Sequence, residues 1–519
     1  MSERLEADVV IVGAGIAGTL IGHRLATAGL KVLILEAGAW VDRAEALRAY
    51  RSNPIKTPDA PYPDQPHAPR PTVLDLRTGY YVQDGPATFG STYERRVGGT
   101  TWHWQGTAMR LVPNDFRLRA RYGVGRDWPI GYQELEPWYL QAEQEVGVAG
   151  DPEDDLDSPR SGPYPLPPIP ASFLDKAIDG ALRARGLRVR VSPHARNSVP
   201  FQNRPPCCGN NTCVPICPIG AKYDASVHAR LAQQAGAQIV DSAVACRIEM
   251  NDAGRVTAIA FKRPDGSDHV AVGAAFVVAA HGIETPRLLL MSRSAQLPDG
   301  VANGSGQVGR NLMDHPALVS LALAREPVYP YRGPGEISGI EHMRDGAFRS
   351  EHAAFRMPIG NDGWSFGGSS LVPLASELIA AGRRGEDLYD ELAHVGLRQV
   401  RLAALIEQLP DANNRITLAD EKDALGLPRP RITYSYDEYV ERGRAAALKL
   451  ADLVFDGSAR RGVCTSTVTS GPATSWARIA WARTRDRRSS ILSGERTITA
   501  ICSWSAAESS RREPLPTRP

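Results

Sequence analysis

The stretch ADVVIVGAGIAGTLIGHRLATAGLKVLILEAG, residues 7–38, reads as strand, glycine turn, helix and strand. Residues 9–12 are a short apolar run, the form of a strand buried on both faces. Gly13, Gly15 and Gly18 follow at once in a G-x-G-x-x-G spacing. The first glycine permits the turn, the second lets backbone approach a pyrophosphate, and the third lets helix and strand pack closely. The helix that opens here presents free N–H groups to the phosphates. The second strand closes on Glu36, 23 residues after Gly13, where a carboxylate can accept hydrogen bonds from ribose hydroxyls. A lone glycine motif could be only a structural turn. Two strands, a helix and a terminal acid around it point to a dinucleotide site.

Outward from this unit, the chain of 519 residues is too long for one simple core, and two domains built from interleaved segments are expected. With 42% hydrophobic and 23% charged residues, the composition is that of a globular protein. No apolar run reaches the roughly 18 residues that span a bilayer. The N-terminus lacks a basic region followed by an apolar stretch and a cleavage site, so no signal peptide of its own is expected; export on a partner stays open. The net charge of +2 hides a split. Residues 459–519 hold 11 Arg, no Lys and 4 acids, a balance of +7 that leaves −5 for the rest. The mildly acidic remainder gives no argument for nucleic acid.

Four of the seven cysteines crowd into eleven residues: Cys207, Cys208, Cys213 and Cys217, within PPCCGNNTCVPICPIGA. Short loops of Gly, Asn and Pro let several thiolates converge on one inorganic centre, and soft thiolates favour iron–sulfur clusters or zinc. Three readings stand: an iron–sulfur cluster, structural zinc and disulfides. The first is favoured because a flavin, if that is what the dinucleotide site holds, would need a one-electron exit. The adjacent Cys207 and Cys208 suit the paired spacings of zinc poorly, and disulfides need an oxidising compartment. Cys246, in strand-like AVACRIEM, reads as buried packing.

Together these residues resemble the glucose–methanol–choline (GMC) flavoprotein oxidoreductases. Within that family the chain is most similar to the bacterial membrane-associated catalytic subunits of FAD-dependent glucose, gluconate, sorbitol and fructose dehydrogenases. The resemblance runs from about residue 7 to about residue 457. It is carried by RRVGGTTWHWQG (95–106), YGVGRDWPI (122–130), CCGNNTCVPICPIGA (207–221), HGIETPRLLL (281–290), VGRNLMDHP (308–316), and EQLPDANNRITL and LGLPRPRITY from Glu407 and Leu425. It implies FAD rather than NAD beside Glu36-Ala37-Gly38. It places Arg96, Gly98, Gly99 and Thr100 along the flavin, and His281 and Gly282 at a second turn that returns to it. It implies a three-iron cluster on Cys207, Cys213 and Cys217, with Cys208 spare. The last two motifs resemble the substrate-domain sheet. His103 and His315 are as readily structural as substrate-touching; Asp314 reads as a loop holder, and Arg126 with Asp127 as a local ion pair.

The family transfers hydride from an alcohol carbon to flavin N5 while an imidazole takes the hydroxyl proton. Electrons then leave through the cluster to a cytochrome. The family's base lies in a C-terminal H-x-x-G-T segment, and its His or Asn partner about forty residues later. Neither is in this chain. The tail GPATSWARIAWARTRDRRSS, residues 471–490, instead has no usable hydrophobic period. A shifted reading frame accounts for it. Trp is always TGG and Ala begins GC, so Trp476-Ala477 and Trp481-Ala482 each conceal an obligatory glycine codon. Residues 471–482 can hide G-P-G-H-V-M-G-T-H-R-M-G, and residues 504–519 can hide V-G-S-G-V-L-P-T-G-A-A-A-N-P-T. Both missing motifs thus reappear at the family's distance. A frameshift near 458–461 is expected, and it also explains arginine without lysine. A divergent tail or a disordered basic arm are the alternatives.

The expected architecture is α/β: a Rossmann-like FAD domain from 1–110 and 205–318, and an α+β substrate domain on an antiparallel sheet from 111–204 and 319–457. Residues 458–519 are expected to be an out-of-frame, poorly packed tail. VTAIAFKRPDGSDHVAVGAAFVVAA reads as a hairpin turning at Asp265-Gly266. The expected activity is FAD-dependent oxidation of a CH–OH group of a sugar, polyol or sugar acid. The translated chain itself is expected to be inactive, with no catalytic residue in frame. A dead remnant and a zinc-stabilised flavoprotein oxidase are the other readings. The resemblance further implies a small subunit exported by a twin-arginine signal, a multihaem cytochrome c subunit, and a place on the periplasmic side of the inner membrane; without such a partner the chain would be cytoplasmic.

Overall fold

The computed structural model describes residues 3–53, 56–73, 75–364 and 371–466. Its strands are β1 (Arg4–Val12), β2 (Val32–Leu35), β3 (Val82–Asp84), β4 (Arg190–Val191), β5 (Gln238–Val240), β6 (Val244–Met250), β7 (Val256–Lys262), β8 (Asp268–Val278), β9 (Ala317–Ala324), β10 (Glu336–Ile340), β11 (Phe355–Gly360), β12 (Gln399–Ile406), β13 (Arg415–Lys422), β14 (Pro428–Thr433) and β15 (Ala459–Ser466).

The first sheet has the order β5-β2-β1-β8-β7-β6. β1 runs parallel to β2 and β8, and β2 parallel to β5. Val10, Ile11, Leu33 and Ile34 are buried, as strands covered on both faces require. β7 and β8 form the expected hairpin, with Lys262 opposite Asp268. The helix Ile16–Thr27 packs beside the helix Ser226–Gln234 on one face, and the helix His281–Met291 contributes Leu288 to the core on the other. The carboxyl ends of β1, β2 and β8 converge, tied by Gly13 N–H to Leu35 O and Ala279 N–H to Val12 O, both 2.8 Å. In open α/β sheets a ligand crevice lies at these ends.

The second sheet has the order β15-β9-β12-β11-β10-β4, and its paired neighbours are antiparallel. The helices Phe173–Arg183 and Glu438–Ser458 cover one face, burying Leu174, Ile178, Val440 and Val454 against Leu402 and Ile406. Two expectations are corrected here. The motifs from Glu407 and Leu425 do not join this sheet: β13 and β14 pair with β3 in a separate three-stranded sheet, locked to the helix His281–Met291 by Arg287. Residues 459–466, placed in the tail on sequence, pair with β9 as an edge strand. The concealed H-x-x-G-T and N-P-T segments lie outside the described residues.

The Pro-rich run from Ser158 is an irregular wrap that ends on Ser172, whose hydroxyl caps the helix Phe173–Arg183. Asp127 makes no pair with Arg126; its carboxylate accepts from the N–H groups of Arg119 and Ala120, at 2.9 and 3.1 Å, and so holds the helix Leu118–Tyr122. No described helix is long and apolar enough to cross a membrane.

Candidate active site

A cavity of about 360 Å³ opens at the carboxyl ends of β1, β2 and β8. Gly13, Gly15, Glu36, Gly99, Thr100, Thr101, Ala279, Ala280, His281 and Glu284 are among its walls. The three glycines act differently. Gly13 sits at φ +102°, and a Cβ there would lie 2.5 Å from Ala279 O. A Cβ at Gly18 would fall on the carbonyl of Gly13, so this glycine serves the helix–strand contact and does not line the cavity. At Gly15 a Cβ would meet no protein atom within 4 Å. That open space, over the start of the helix Ile16–Thr27, fits a diphosphate. Glu36 closes β2, and its carboxylate accepts from Ala14 N–H at 2.7 Å and Gly38 N–H at 3.1 Å. Burial raises its pKa against these hydrogen bonds and against Arg95.

The opposite wall is the segment 95–106. Gly98 (φ +101°) and Gly99 (φ +56°) take left-handed backbone conformations, and a Cβ on Gly99 would stand 3.1 Å from Gly15 Cα. Arg96 turns away from the cavity: it pairs with Glu94 at 3.1 Å and lies over Tyr62. Arg95 lines the cavity in its place. In extended chain, adjacent side chains face opposite sides, so sequence alone could not choose between the two arginines. Gly98 and Gly282 do not line the cavity. His103 is buried 3.5 Å from Glu94, and neither it nor His315 reaches the walls.

His281 begins its helix at φ +74° and stacks on Tyr93, ring centroids 4.2 Å apart. Burial pushes its pKa down to about 4 despite Glu284 nearby, so the imidazole facing the cavity is neutral. Glu284 accepts from Tyr80 and Tyr93 at 2.6 and 2.5 Å and pairs with Arg287 at 3.0 Å. Burial pushes its pKa up, but Arg95, Arg287 and the two phenols outweigh that and hold it at about 2. Tyr93, Arg95 and Glu284 also belong to the site; Arg95 and Glu284 lie inside quoted motifs that did not single them out, and Tyr93 lies in none.

The cysteine segment packs behind the second wall. Cys213 and Cys217 are buried, Cys207 is half-buried and Cys208 exposed; the five cysteines with described side chains are free of disulfides. Cys207 Sγ accepts from Gly209 N–H at 3.4 Å, and Cys217 Sγ from Lys222 N–H at 3.5 Å. Lys222 is buried and was not anticipated from the sequence. Its ammonium donates to Trp102 O (2.8 Å), Trp104 O (2.6 Å) and Cys213 O (2.7 Å), which ties the cysteine loop to the segment that walls the cavity. Burial lowers its pKa to about 8, opposed by the Cys213 and Cys217 thiols and Asp224. Arg43 holds Cys217 O at 2.7 Å and Tyr62 holds Pro215 O at 2.8 Å.

A glycine-cradled crevice at the carboxyl ends of parallel strands, with a second, antiparallel sheet in the same chain, marks a dinucleotide-binding fold. The family model described as GMC oxidoreductase matches residues 165–317. The chain is 40% identical over 454 residues to the fructose dehydrogenase large subunit of Gluconobacter japonicus, across 86% of this chain and 82% of that protein. It is 28% identical over 452 residues to 2-methyl-1,2-propanediol dehydrogenase of Mycolicibacterium austroafricanum, across 83% and 77% of the two chains. Its fold is similar to that of pyridoxine 4-oxidase from Mesorbium loti, with a TM-score of 0.56 at 18% identity, covering 88% of this chain and 82% of that one. The chain belongs to the GMC oxidoreductases, FAD-dependent enzymes that act on alcohol or sugar groups.

Proposed function

We propose that this chain is the catalytic subunit of a sugar, polyol or sugar-acid dehydrogenase, and that its reading frame slips before the catalytic base. The observation that carries the dehydrogenase reading is the glycine-cradled cavity, in a chain 40% identical to a fructose dehydrogenase large subunit; Lys222 joins that cavity's wall to the cysteine loop. FAD fits the cavity: the open face of Gly15 leaves room for the diphosphate, the backbone at Gly99 approaches closely, and Glu36 lies at the ribose position. Gly13, Gly15, Glu36, Gly99, Thr100 and His281 would hold it, and its flavin would accept hydride from the alcohol carbon. The chain's own residues bind and orient. His281 and Tyr93 supply a stacked, neutral wall, and the Glu284–Arg287 pair keeps the helix behind them in place.

Cys207, Cys213 and Cys217 also fit an iron–sulfur cluster, which would pass electrons singly toward a cytochrome partner. Two of them are buried, two of the sulfurs accept backbone N–H groups, and Arg196 and Lys222 bring positive charge. The similarity to a protein described as a large subunit supports smaller partner subunits, read here as an exported small subunit and a cytochrome c at the periplasmic face.

Among the described residues, His281 is the one histidine that lines the cavity, and its ring, stacked on Tyr93 with a pKa of about 4, is too weakly basic to stand in for the family's base. A concealed histidine codon across Ala473 and Thr474 would supply the base, and a concealed asparagine across Pro516 and Thr517 its partner. Resequencing near codon 458, followed by expression of the frame-corrected chain, tests both parts. The corrected chain should bind FAD and bleach anaerobically with an aldose, a polyol or a sugar acid. A corrected, FAD-loaded chain that none of these reduces would overturn the dehydrogenase assignment. An uninterrupted gene in this region would overturn the slip.

A further inference from the structure

His23, Glu145 and His228 stand on three different helices, Ile16–Thr27, Tyr132–Val146 and Ser226–Gln234. Each offers one ligand atom, and the three atoms lie within 4.8 Å of one another. We propose that they form a binding site for a divalent cation of the zinc class, separate from the flavin cavity and the cysteine loop.

The partners of each side chain leave the right atoms free. His228 is buried, and its Nδ1 engages Tyr223 OH at 2.8 Å, so its Nε2 faces the cluster. Glu145 Oε1 accepts from Arg24 at 2.9 and 3.3 Å, which leaves Oε2 toward His228. His23 Nδ1 is buried with no hydrogen-bond partner, and the two imidazoles meet edge to face at 5.6 Å. The His228 Nε2 to Glu145 Oε2 separation is 3.4 Å. That is long for an N–H···O bond, whose usual length is about 2.9 Å. It matches the tetrahedral edge of about 3.3 Å set by ligands about 2.0–2.1 Å from zinc.

Two imidazoles and one carboxylate suit zinc, with a fourth position left to water. The Tyr223 and Arg24 contacts are the outer-shell partners that fix a ligating imidazole and carboxylate. A bound ion would staple the helix that starts at the Gly15 turn to the helix that follows the cysteine loop. It would therefore act on folding and not on the chemistry.

The full chain, freed of metal by chelation and titrated with Zn2+ alone, tests the site. One equivalent should raise the unfolding temperature. X-ray absorption at the zinc edge should show nitrogen and oxygen neighbours at about 2.0–2.1 Å. His228→Gln and Glu145→Gln should abolish the rise, and Tyr223→Phe should weaken binding roughly 10- to 100-fold while leaving all three ligands. Metal-free unfolding temperatures separate loss of metal from loss of fold, and the wild-type spectrum needs no variant. An unchanged unfolding temperature with zinc overturns the site. So does a shell dominated by sulfur at about 2.3 Å, which would put the ion on the cysteine loop.

Discussion

Gly15 and Gly18 stand three residues apart, and a methyl group added to each would meet different surroundings. At Gly15 it would enter open space, on a backbone at φ −77° that alanine adopts freely. Gly15→Ala should therefore keep its stability to within about 0.5 kcal/mol yet lose FAD, because the methyl takes the diphosphate's place. At Gly18 the methyl would strike the Gly13 carbonyl. Gly18→Ala should cost about 3 kcal/mol and lose FAD with the fold. Thermal unfolding and flavin absorbance on the two variants check the contrast. Glu284 yields a pH prediction. Its pKa of about 2 in the fold lies below its ordinary 4.5. Its stabilising contribution is full above about 4.5 and is lost as pH falls toward 2. Glu284→Gln should destabilise by about 3 kcal/mol at neutral pH, since it strips one anion from two buried arginines while Asp423 still holds Arg287. It should also flatten the acid limb of the stability curve, measured by denaturant unfolding from pH 7 to pH 2.5. The three glycines of this site were legible because their spacing encodes backbone geometry. Arg95, Tyr93 and Glu284 were not, because a side chain's facing is settled by the elements around it.

The cysteine loop behaves as one element, held from outside by Lys222, Arg43 and Tyr62. Cysteine crowding made the loop a candidate metal centre in the sequence, while the lysine that couples it to the cavity wall carried no such signature. In the frame-corrected chain, Cys213→Ser and Cys217→Ser should each lose iron. Cys208→Ser should retain it, since that sulfur lies on the surface. Iron and acid-labile sulfide analysis decides between these outcomes. Lys222→Met should lose iron and loosen FAD together, because one ammonium holds both Cys213 and the Trp102–Trp104 backbone. Retained iron at full stoichiometry would remove Lys222 from that role. The strands β13 and β14 teach the opposite lesson. The family resemblance of their motifs marked them as sheet segments, but it did not reveal their neighbours. β14 pairs with β3, some 350 residues earlier in the chain. That pairing depends on where Arg287 and Asp423 meet, which no local pattern records.

Across the whole molecule, the described residues supply a cofactor crevice, a cysteine loop and a second, antiparallel sheet, and the crevice walls hold no histidine beyond His281. Correcting the frame should restore alcohol-dependent flavin bleaching. The chain as translated should fall short by at least roughly 10²–10⁴ in rate, the usual worth of a general base. Turnover of sugars by the uncorrected chain at full rate would contradict this. The α/β class, the glycine turn, the acid at the end of β2, the hairpin at Asp265-Gly266 and the crowded cysteines were all decided locally. Each depends on residues close together in the chain, where backbone freedom and side-chain periodicity act directly. The motifs proposed to be concealed in the tail are also a local matter, a question of codons. The choice of Arg95 over Arg96, the bridge made by Lys222, the third sheet and the His23–Glu145–His228 cluster were settled only when distant segments packed. Their energies come from burial and from charges brought together, and those exist only once the chain has closed on itself.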